Sequence, residues 1–402
     1  MNERSTNPLL RRSAAGSWKE HSKVKFQRKS RLRALAFGAA AISGALVLTA
    51  CGSDNNAGTS SSGGSSNTAA AGNITCAGKQ ANLLASGSTA QANAMQVWVK
   101  NYMQACPNTQ INYKPTGSGA GQTEFLQGST AFAGSDSALK PDQIAQSKQV
   151  CPGGGQAIDL PMVGGAIAVG YNLPGVSNLV LDAPTLAKIF NAQITTWNDP
   201  AIKKLNPGVT LPSTSIQAFH RSDSSGTTDN FTAYLGGAAP SAWSYPHDKA
   251  FKGKGGQSAA GSSGVAAQVK QTPGAIGYFE LSYATADNLP TVKINTGASQ
   301  AVEASSATAS KAIATAKRVG TGNDLALKFD YATNVEGAYP ITLVTYEIVC
   351  DKGNKPATLG ATKSFLTYIA SDAGQQNLSS MGYAPLPAEI ATEVRQQINS
   401  LS

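Results

Sequence analysis

The sequence predicts an α/β fold, and three observations carry that prediction. Short apolar runs at 81–86, 111–113, 131–134 and 216–219 each end in turns rich in Gly, Ser, Thr or Asp. Residues at helical spacing follow the first and the last of them. A continuous apolar stretch, Ile158 to Val169, has the look of strands covered on both faces. Alternating strands and helices of this kind are the mark of α/β architecture.

Taken in order, Ala81 to Ser86 reads as a strand and Gly87-Ser88-Thr89 as its turn. Met95, Trp98, Val99 and Tyr102 then recur as one helical face until Cys106-Pro107 stops it. Ile111 and Tyr113 alternate as a second strand ending at Thr116-Gly117-Ser118-Gly119-Ala120-Gly121, and Ala131 to Gly134 is a third ending at Ser135-Asp136-Ser137. Residues 184–191 read as a helix entered through proline. The strand Ile216 to Phe219 runs into His220-Arg221 and the turn Ser222 to Thr228, and Phe231, Tyr234 and Leu235 continue as a helix. Ile341 to Val349 is a strongly apolar strand. Helices near 356–371 and 387–401 close the chain, the last with Ile390, Val394, Ile398 and Leu401 on one stripe.

The formal net charge of +9 is unevenly placed. Residues 1–50 hold ten Lys/Arg and two Asp/Glu, so the other 352 residues carry 22 basic and 21 acidic side chains. A near-neutral body rules out a polybasic nucleic-acid groove, and 41% hydrophobic residues rule out a disordered polyelectrolyte. Lys23, Lys25, Arg28, Lys29, Arg31 and Arg33 precede the apolar run Ala34 to Ala50, too short for an independent membrane span and typical of an export signal. The length of its basic portion is consistent with translation starting at Met1 or near Val24. Leu48-Thr49-Ala50-Cys51 resembles the bacterial lipoprotein box, which implies lipidation of Cys51 and a membrane anchor; a plain signal with a coincidental cysteine is the alternative. The Gly/Ser/Ala/Thr/Asn run after Cys51 reads as a flexible tether.

Four further cysteines, Cys76, Cys106, Cys151 and Cys350, suit two disulfides outside the cytosol. Three connectivities are possible. Cys76–Cys106 with Cys151–Cys350 is preferred, because the first pair flanks one strand–helix unit and the second flanks two apolar strands. A metal site is the rival, but no cysteine has a Cys or His at ligand spacing.

Thr89, Ser118, Asp136 and the segment Arg221–Thr227 all lie just past the carboxyl end of a predicted strand, where open α/β sheets bind ligands. Gly/Ser/Thr turns leading into helices present N–H groups, hydroxyls and a favourable dipole to an oxyanion. Each turn alone could be only a cap. Arg221 offers a planar cation, or else pairs with Asp223 on the surface. Asp136 would repel a bare anion but attract one that still carries a proton; phosphate has such a proton and sulfate does not. The alternative for Asp136 is a helix cap.

At these residues a resemblance enters. Ala85-Ser86-Gly87-Ser88-Thr89-Ala90, Thr116 to Gly121, Gly134 to Leu139 and Arg221 to Thr227 resemble the phosphate-binding segments of the substrate-binding protein of the high-affinity phosphate ABC transporter. Trp197-Asn198-Asp199, Leu205 to Gly208 and Pro273 to Tyr278 agree, in order, over about 80–400. The lipoprotein box and extra cysteines resemble the actinobacterial branch.

The resemblance implies a two-lobed Venus-flytrap fold with discontinuous lobes and a hinge, residues 74–163 and 337–402 forming lobe I and 164–336 lobe II. It implies phosphate held by Ser88, Thr89, the Ala90 N–H, Ser118, Asp136, Arg221, Ser225, Gly226 and Thr227, with Asp223 holding Arg221. Partners would be inorganic phosphate, transmembrane permease subunits and the lipid membrane through Cys51, with no cofactor, no metal and a monomeric chain. Two departures stand out: Ala90 replaces a frequent aromatic, and Gly119 a frequent serine.

An enzyme using Ser118 or Ser225 would need a base or metals. The body has only His220 and His247, with neither a His-x-x-x-His pair nor a Gly-x-Ser-x-Gly elbow. His220 lies beside Arg221 but reads better as structural. An adhesin, or a carrier of sulfate or another oxyanion, are the remaining alternatives.

Overall fold

Long-range pairing about one central strand organises the protein. The computed structural model describes residues 74–402; the expected export signal, the expected lipidation at Cys51 and the expected tether to residue 73 lie outside the described residues. The opening series is β1 (Ala81–Gly87), α1 (Ala92–Ala105), β2 (Thr109–Lys114), α2 (Ser118–Leu126), β3 (Phe132–Ser135) and α3 (Pro141–Ser147). The middle holds β4 (Ala157–Asn172), β5 (Val180–Asp182), α4 (Ala183–Phe190), α5 (Pro200–Leu205), β6 (Gln217–Arg221), α6 (Gly226–Ala238), β7 (Gln257–Ala259), α7 (Gly261–Gln271), β8 (Ala275–Glu280) and α8 (Leu281–Asp287). The remainder is β9 (Lys293–Asn295), α9 (Ser306–Ile313), β10 (Lys317–Arg318), β11 (Leu327–Lys328), β12 (Thr342–Cys350), α10 (Pro356–Ile369), α11 (Asp372–Gln375), β13 (Tyr383–Ala384) and α12 (Ala388–Ser400).

The main sheet has the order β2-β1-β3-β12-β4-β8-β6-β7, with β13 also on β4. β1 pairs parallel with β2 and β3, and β6 pairs parallel with β7 and β8. β4 joins these parallel sets through antiparallel pairing, its residues 157–166 to β12 and its residues 167–172 to β8. The expected strands of the 158–169 stretch are thus one strand of 16 residues, roughly 50 Å long. Its hydrophobicity is continuous because both faces are buried from Ala157 to Tyr171. Ile158, Leu160, Met162 and Val163 enter one hydrophobic core with Leu83, Trp98 and Phe365. Ala166 to Val169 and Tyr171 enter a second core with Phe190, Phe231 and Tyr278.

Local chemistry places the helices. Met95, Trp98 and Tyr102 turn the buried face of α1 inward, and the chain leaves the helix at Cys106. The Asp182 and Asp199 carboxylates cap α4 and α5 by accepting from Thr185 N (2.9 Å) and Ala201 N (2.8 Å), each ahead of a proline in the first turn. In α12, Val394 and Ile398 are buried with Leu401 beyond the helix end, whereas Ile390 sits only half-buried at the margin.

Both expected disulfides are formed, Cys76–Cys106 and Cys151–Cys350. They close loops of 30 and 199 residues, which in a chain-entropy picture constrain the unfolded state by about 3.5 and about 5 kcal/mol. Urea titration of paired Cys→Ser variants should therefore show the larger loss for Cys151/Cys350, by about 1–2 kcal/mol.

Candidate functional site

Four helix N-termini converge at the carboxyl ends of the parallel strands. α1 follows β1 through Ser88-Thr89, α2 starts at Ser118, α6 follows β6 through Ser225, and α7 follows β7 at Gly261-Ser262. The turns touch because glycines stand at their contacts. A Cβ on Gly226 would lie 2.6 Å from both Asp136 Cβ and Ser118 Oγ. Gly117 adopts φ +94°, a conformation that favours glycine, with its Cα facing the Asp223 carboxylate. The space a Cβ on Gly119 would need is filled by the Ser224 side chain, and the Gly119 N–H donates to Ser224 O at 2.9 Å. A hydroxyl on residue 224 thus occupies the place where the resemblance expected one on residue 119.

Asp136 is the centre of this arrangement. It is 4% exposed and its carboxylate accepts from Ser88 Oγ (2.5 Å), Thr345 Oγ1 (2.7 Å) and Ser118 Oγ (3.0 Å). It caps no helix, since α3 begins only at Pro141. Burial, reinforced by the charge of Glu280, pushes the Asp136 carboxyl up to about 6, against the pull of the three hydroxyls. It therefore remains mainly ionised at neutral pH and acts as an acceptor.

Arg221 is buried, and its guanidinium grips Asp223 at two points, Nε to Oδ1 at 2.8 Å and Nη2 to Oδ2 at 2.5 Å. Burial opposes the charge, but the paired carboxylate outweighs it and holds the Arg221 pKa above its ordinary value. Asp223 is held below the usual carboxylate range: burial would raise it, and the Arg221 hydrogen bonds override that effect. The second guanidinium nitrogen, Nη1, is left to donate to Ser262 Oγ (3.0 Å) and Thr227 Oγ1 (3.2 Å). Thr227 in turn donates to Glu280 Oε1 at 2.6 Å.

The other expected residues take local partners. Thr89 Oγ1 shares a hydrogen with Ser262 Oγ at 3.0 Å, and the Ala90 N–H donates to Ser88 Oγ at 3.0 Å. Ser225 Oγ accepts from Thr228 N, so its side chain serves as the cap of α6. His220 stacks on Phe251, with ring centroids 4.1 Å apart, and meets its neighbour's carbonyl, as a structural residue would. An open cavity of about 400 Å³ borders the cluster, lined by Thr89, Asn93, Thr116, Asp223, Gly261 and Tyr283.

Residues 57–373 match the family model described as a PBP superfamily domain. The phosphate-binding protein PstS3 of Mycobacterium bovis (strain BCG / Pasteur 1173P2) is 45% identical over 372 residues, covering 91% of this chain and 99% of that protein. The chain belongs to the PstS phosphate-binding protein family. Among solved structures, the high-affinity periplasmic phosphate-binding protein PfluDING bound with phosphate superposes with a TM-score of 0.64 at 22% identity, covering 78% of this chain and 93% of the other. A putative phosphate ABC transporter substrate-binding protein from Clostridium perfringens, also with bound phosphate, gives 0.55 at 19%, covering 76% and 100%. The fold is accordingly the two-lobed α/β fold of periplasmic binding proteins.

In this PstS family member the cluster also contains residues for which the sequence offers little or no local signal. Ser262 supplies a hydroxyl from the Gly/Ser start of α7, whose strand-to-helix signature matches the other turns. Tyr283 and Tyr383 donate to the carbonyls of Thr89 (2.7 Å) and Ala90 (2.8 Å), fixing the first turn from outside. Thr345 and Glu280 arrive from strands with no turn signature at all. Asn230 Nδ2 donates to the Asp136 carbonyl at 2.7 Å, tying α6 to the end of β3. Because Gly226 meets both Asp136 and Ser118, Gly226→Ala should cost about 1–3 kcal/mol through overpacking, measured by urea unfolding.

Proposed function

We propose that the protein captures inorganic phosphate outside the cytoplasm and delivers it to the membrane permease of a phosphate ABC importer. The observation that carries this reading is Asp136: an ionised, buried acceptor among helix N-termini, beside an Arg221 already neutralised by Asp223. Such a site has donors for an oxyanion and a carboxylate to which only a protonated oxyanion can donate. Phosphate meets that condition, and fully ionised sulfate leaves acceptor facing acceptor.

In this reading Ser88, Thr89, the Ala90 N–H and Ser118 bind from one side, with Arg221 and the Ser225–Gly226–Thr227 helix start from the other. Hydroxyls that satisfy one another, such as Thr89 with Ser262, are the donors the anion takes over. Lobe I comprises 74–163 and 337–402 and lobe II 164–336. The passage of β4 between two cores at Val163–Ala166 supports that division along β4, while Tyr339 to Tyr346 pack in the core of lobe II; in this reading the hinge lies near the register shift at Thr345/Tyr346 on β12. The chain works as a monomer without turnover. Among the described residues Ser118 donates to a carboxylate and Ser225 accepts from an amide, so neither is paired with a histidine base. Lipidation at Cys51 anchors the mature protein to the membrane.

Calorimetry with phosphate, sulfate and arsenate tests the site. Asp136→Asn should weaken phosphate by about 10- to 150-fold, the equivalent of one charge-assisted hydrogen bond, and narrow the preference over sulfate. In the unaltered protein, sulfate should gain affinity as pH falls through about 6, where Asp136 takes up a proton and becomes a donor. Sulfate binding equal to phosphate at neutral pH would overturn the role of Asp136. Cys51→Ala should release the protein into the medium with its phosphate affinity unchanged, as read by fractionation and calorimetry.

A further inference from the structure

A second buried acid lies behind the phosphate turn. Glu347, in the middle of β12, is fully buried, and among the described residues neither carboxyl oxygen makes a hydrogen bond of good geometry, the Gln91 amide being the one polar group near enough to favour its charge. Its cross-strand partners are Gly134 on β3 and Leu160 on β4. Gly134 has no side chain, and the room a Cβ would take there is filled by the Gln91 amide nitrogen and the Tyr113 hydroxyl. Paired residues on one face stand about 5 Å apart, which sets the Glu347 carboxyl beside the Gln91 amide.

The hydrogen-bond direction in this group is fixed. The Tyr113 O–H donates to the Ser88 carbonyl at 2.8 Å, so its oxygen must accept, and Gln91 Nε2 donates to it at 3.1 Å. Gln91 Oε1 therefore faces away from Tyr113, and among the described residues this buried acceptor also has no donor. Ionised, Glu347 would add two more unsatisfied acceptors and a charge next to it. One proton on Glu347 gives the Gln91 oxygen its donor.

Resting on the phosphate-binding reading, we propose that Glu347 is a positioning residue of the anion site: as the neutral acid it donates to Gln91 Oε1 and locks the Gln91–Tyr113–Ser88 chain that shapes the first turn. The same turn sends Ser88 Oγ to Asp136. The titratable groups facing Glu347 are Tyr113 from β2 and Asp136 from the end of β3; α1 contributes the uncharged Gln91 and β4 the apolar Leu160. Burial pushes the Glu347 carboxyl up to about 8, the Gln91 amide opposes the rise, and Asp136 adds to it. Burial, and next the charge of Glu347, holds Tyr113 well above its ordinary value, so it stays neutral.

Ionisation of Glu347 breaks the chain and brings a negative charge toward the anion, so alkaline phosphate binding must take up a proton. Calorimetry between pH 7 and 9.5 should show affinity level to about 8 and then falling toward tenfold per pH unit. Glu347→Gln, whose amide can still donate to Gln91 Oε1, should match the unaltered protein at pH 7 and lose the alkaline fall. Glu347→Leu should bind about 2- to 12-fold more weakly at pH 7, the loss of one hydrogen bond. At pH 8.5, titrations in buffers of different ionisation enthalpy should show the unaltered protein taking up more protons on binding than Glu347→Gln, a difference in which the proton exchange of phosphate itself cancels.

An alkaline fall retained by Glu347→Gln, full affinity in Glu347→Leu, or equal proton uptake by the unaltered protein and Glu347→Gln would each overturn the inference. Failure of the unaltered protein to bind phosphate would overturn the functional reading instead. Unliganded stability gives a further check. Glu347 has its folded pKa above its unfolded one, so its favourable contribution is complete below about 4.5 and is lost as pH rises through about 8. The melting temperature of the unaltered protein should drop relative to Glu347→Gln across that window.

Discussion

The site exists because backbone meets backbone where a side chain would stand in the way. Gly226 at the start of α6 lies against Asp136 and Ser118, and Gly117 and Gly119 lie against Asp223 and Ser224. Remove that closeness and the helix N-termini point at separate volumes instead of one. Cores of interlocked side chains then fix where each turn sits, Trp98 and Phe365 for one set and Phe190, Phe231 and Tyr278 for the other. Packing energy in the cores is thus converted into positional accuracy at the turns.

The electrostatics of the site are unusual for an anion receptor. Even with Glu347 neutral, the buried Asp136 and Glu280 and the half-buried Asp223 outnumber Arg221 in the cluster. Net attraction cannot come from formal charge and must come from oriented N–H groups and hydroxyls. Such dipoles are short-ranged and directional, so they discriminate by shape and by protonation rather than by charge alone. The Arg221–Asp223 pair fits that logic: its charge is already balanced, and what Arg221 adds is a rigid pair of donors on Nη1.

How much of this was legible in the sequence depends on whether a feature is local or assembled. The strand, turn and helix around Thr89, Ser118 and Arg221 are written in contiguous residues, with apolar runs meeting glycine and hydroxyl residues. Asp136 stood out because a carboxylate is chemically odd in such company. Glu347 did not, because one acid inside the apolar run Ile341–Val349 looks like ordinary alternation until β12 is seen to be buried on both faces. Thr345, Glu280, Tyr283 and Tyr383 reach the site through pairings or packing distant in sequence, which no local pattern encodes. The single long β4 was divided in the reading for the same reason: its partner changes from β12 to β8 midway, while its own residues show no break.

The two disulfides differ in when their partners become available to a chain made from its N-terminus. Cys76 meets Cys106 after only 30 further residues, within one strand–helix unit. Cys151 must wait for Cys350, 199 residues later, after nearly the entire chain has appeared. During that interval its thiol is protected from the earlier pair only if they have already joined each other. Closure of the nearer bridge leaves Cys151 a single partner, and Cys151–Cys350 can fasten the β4–β12 ladder only once β12 has appeared.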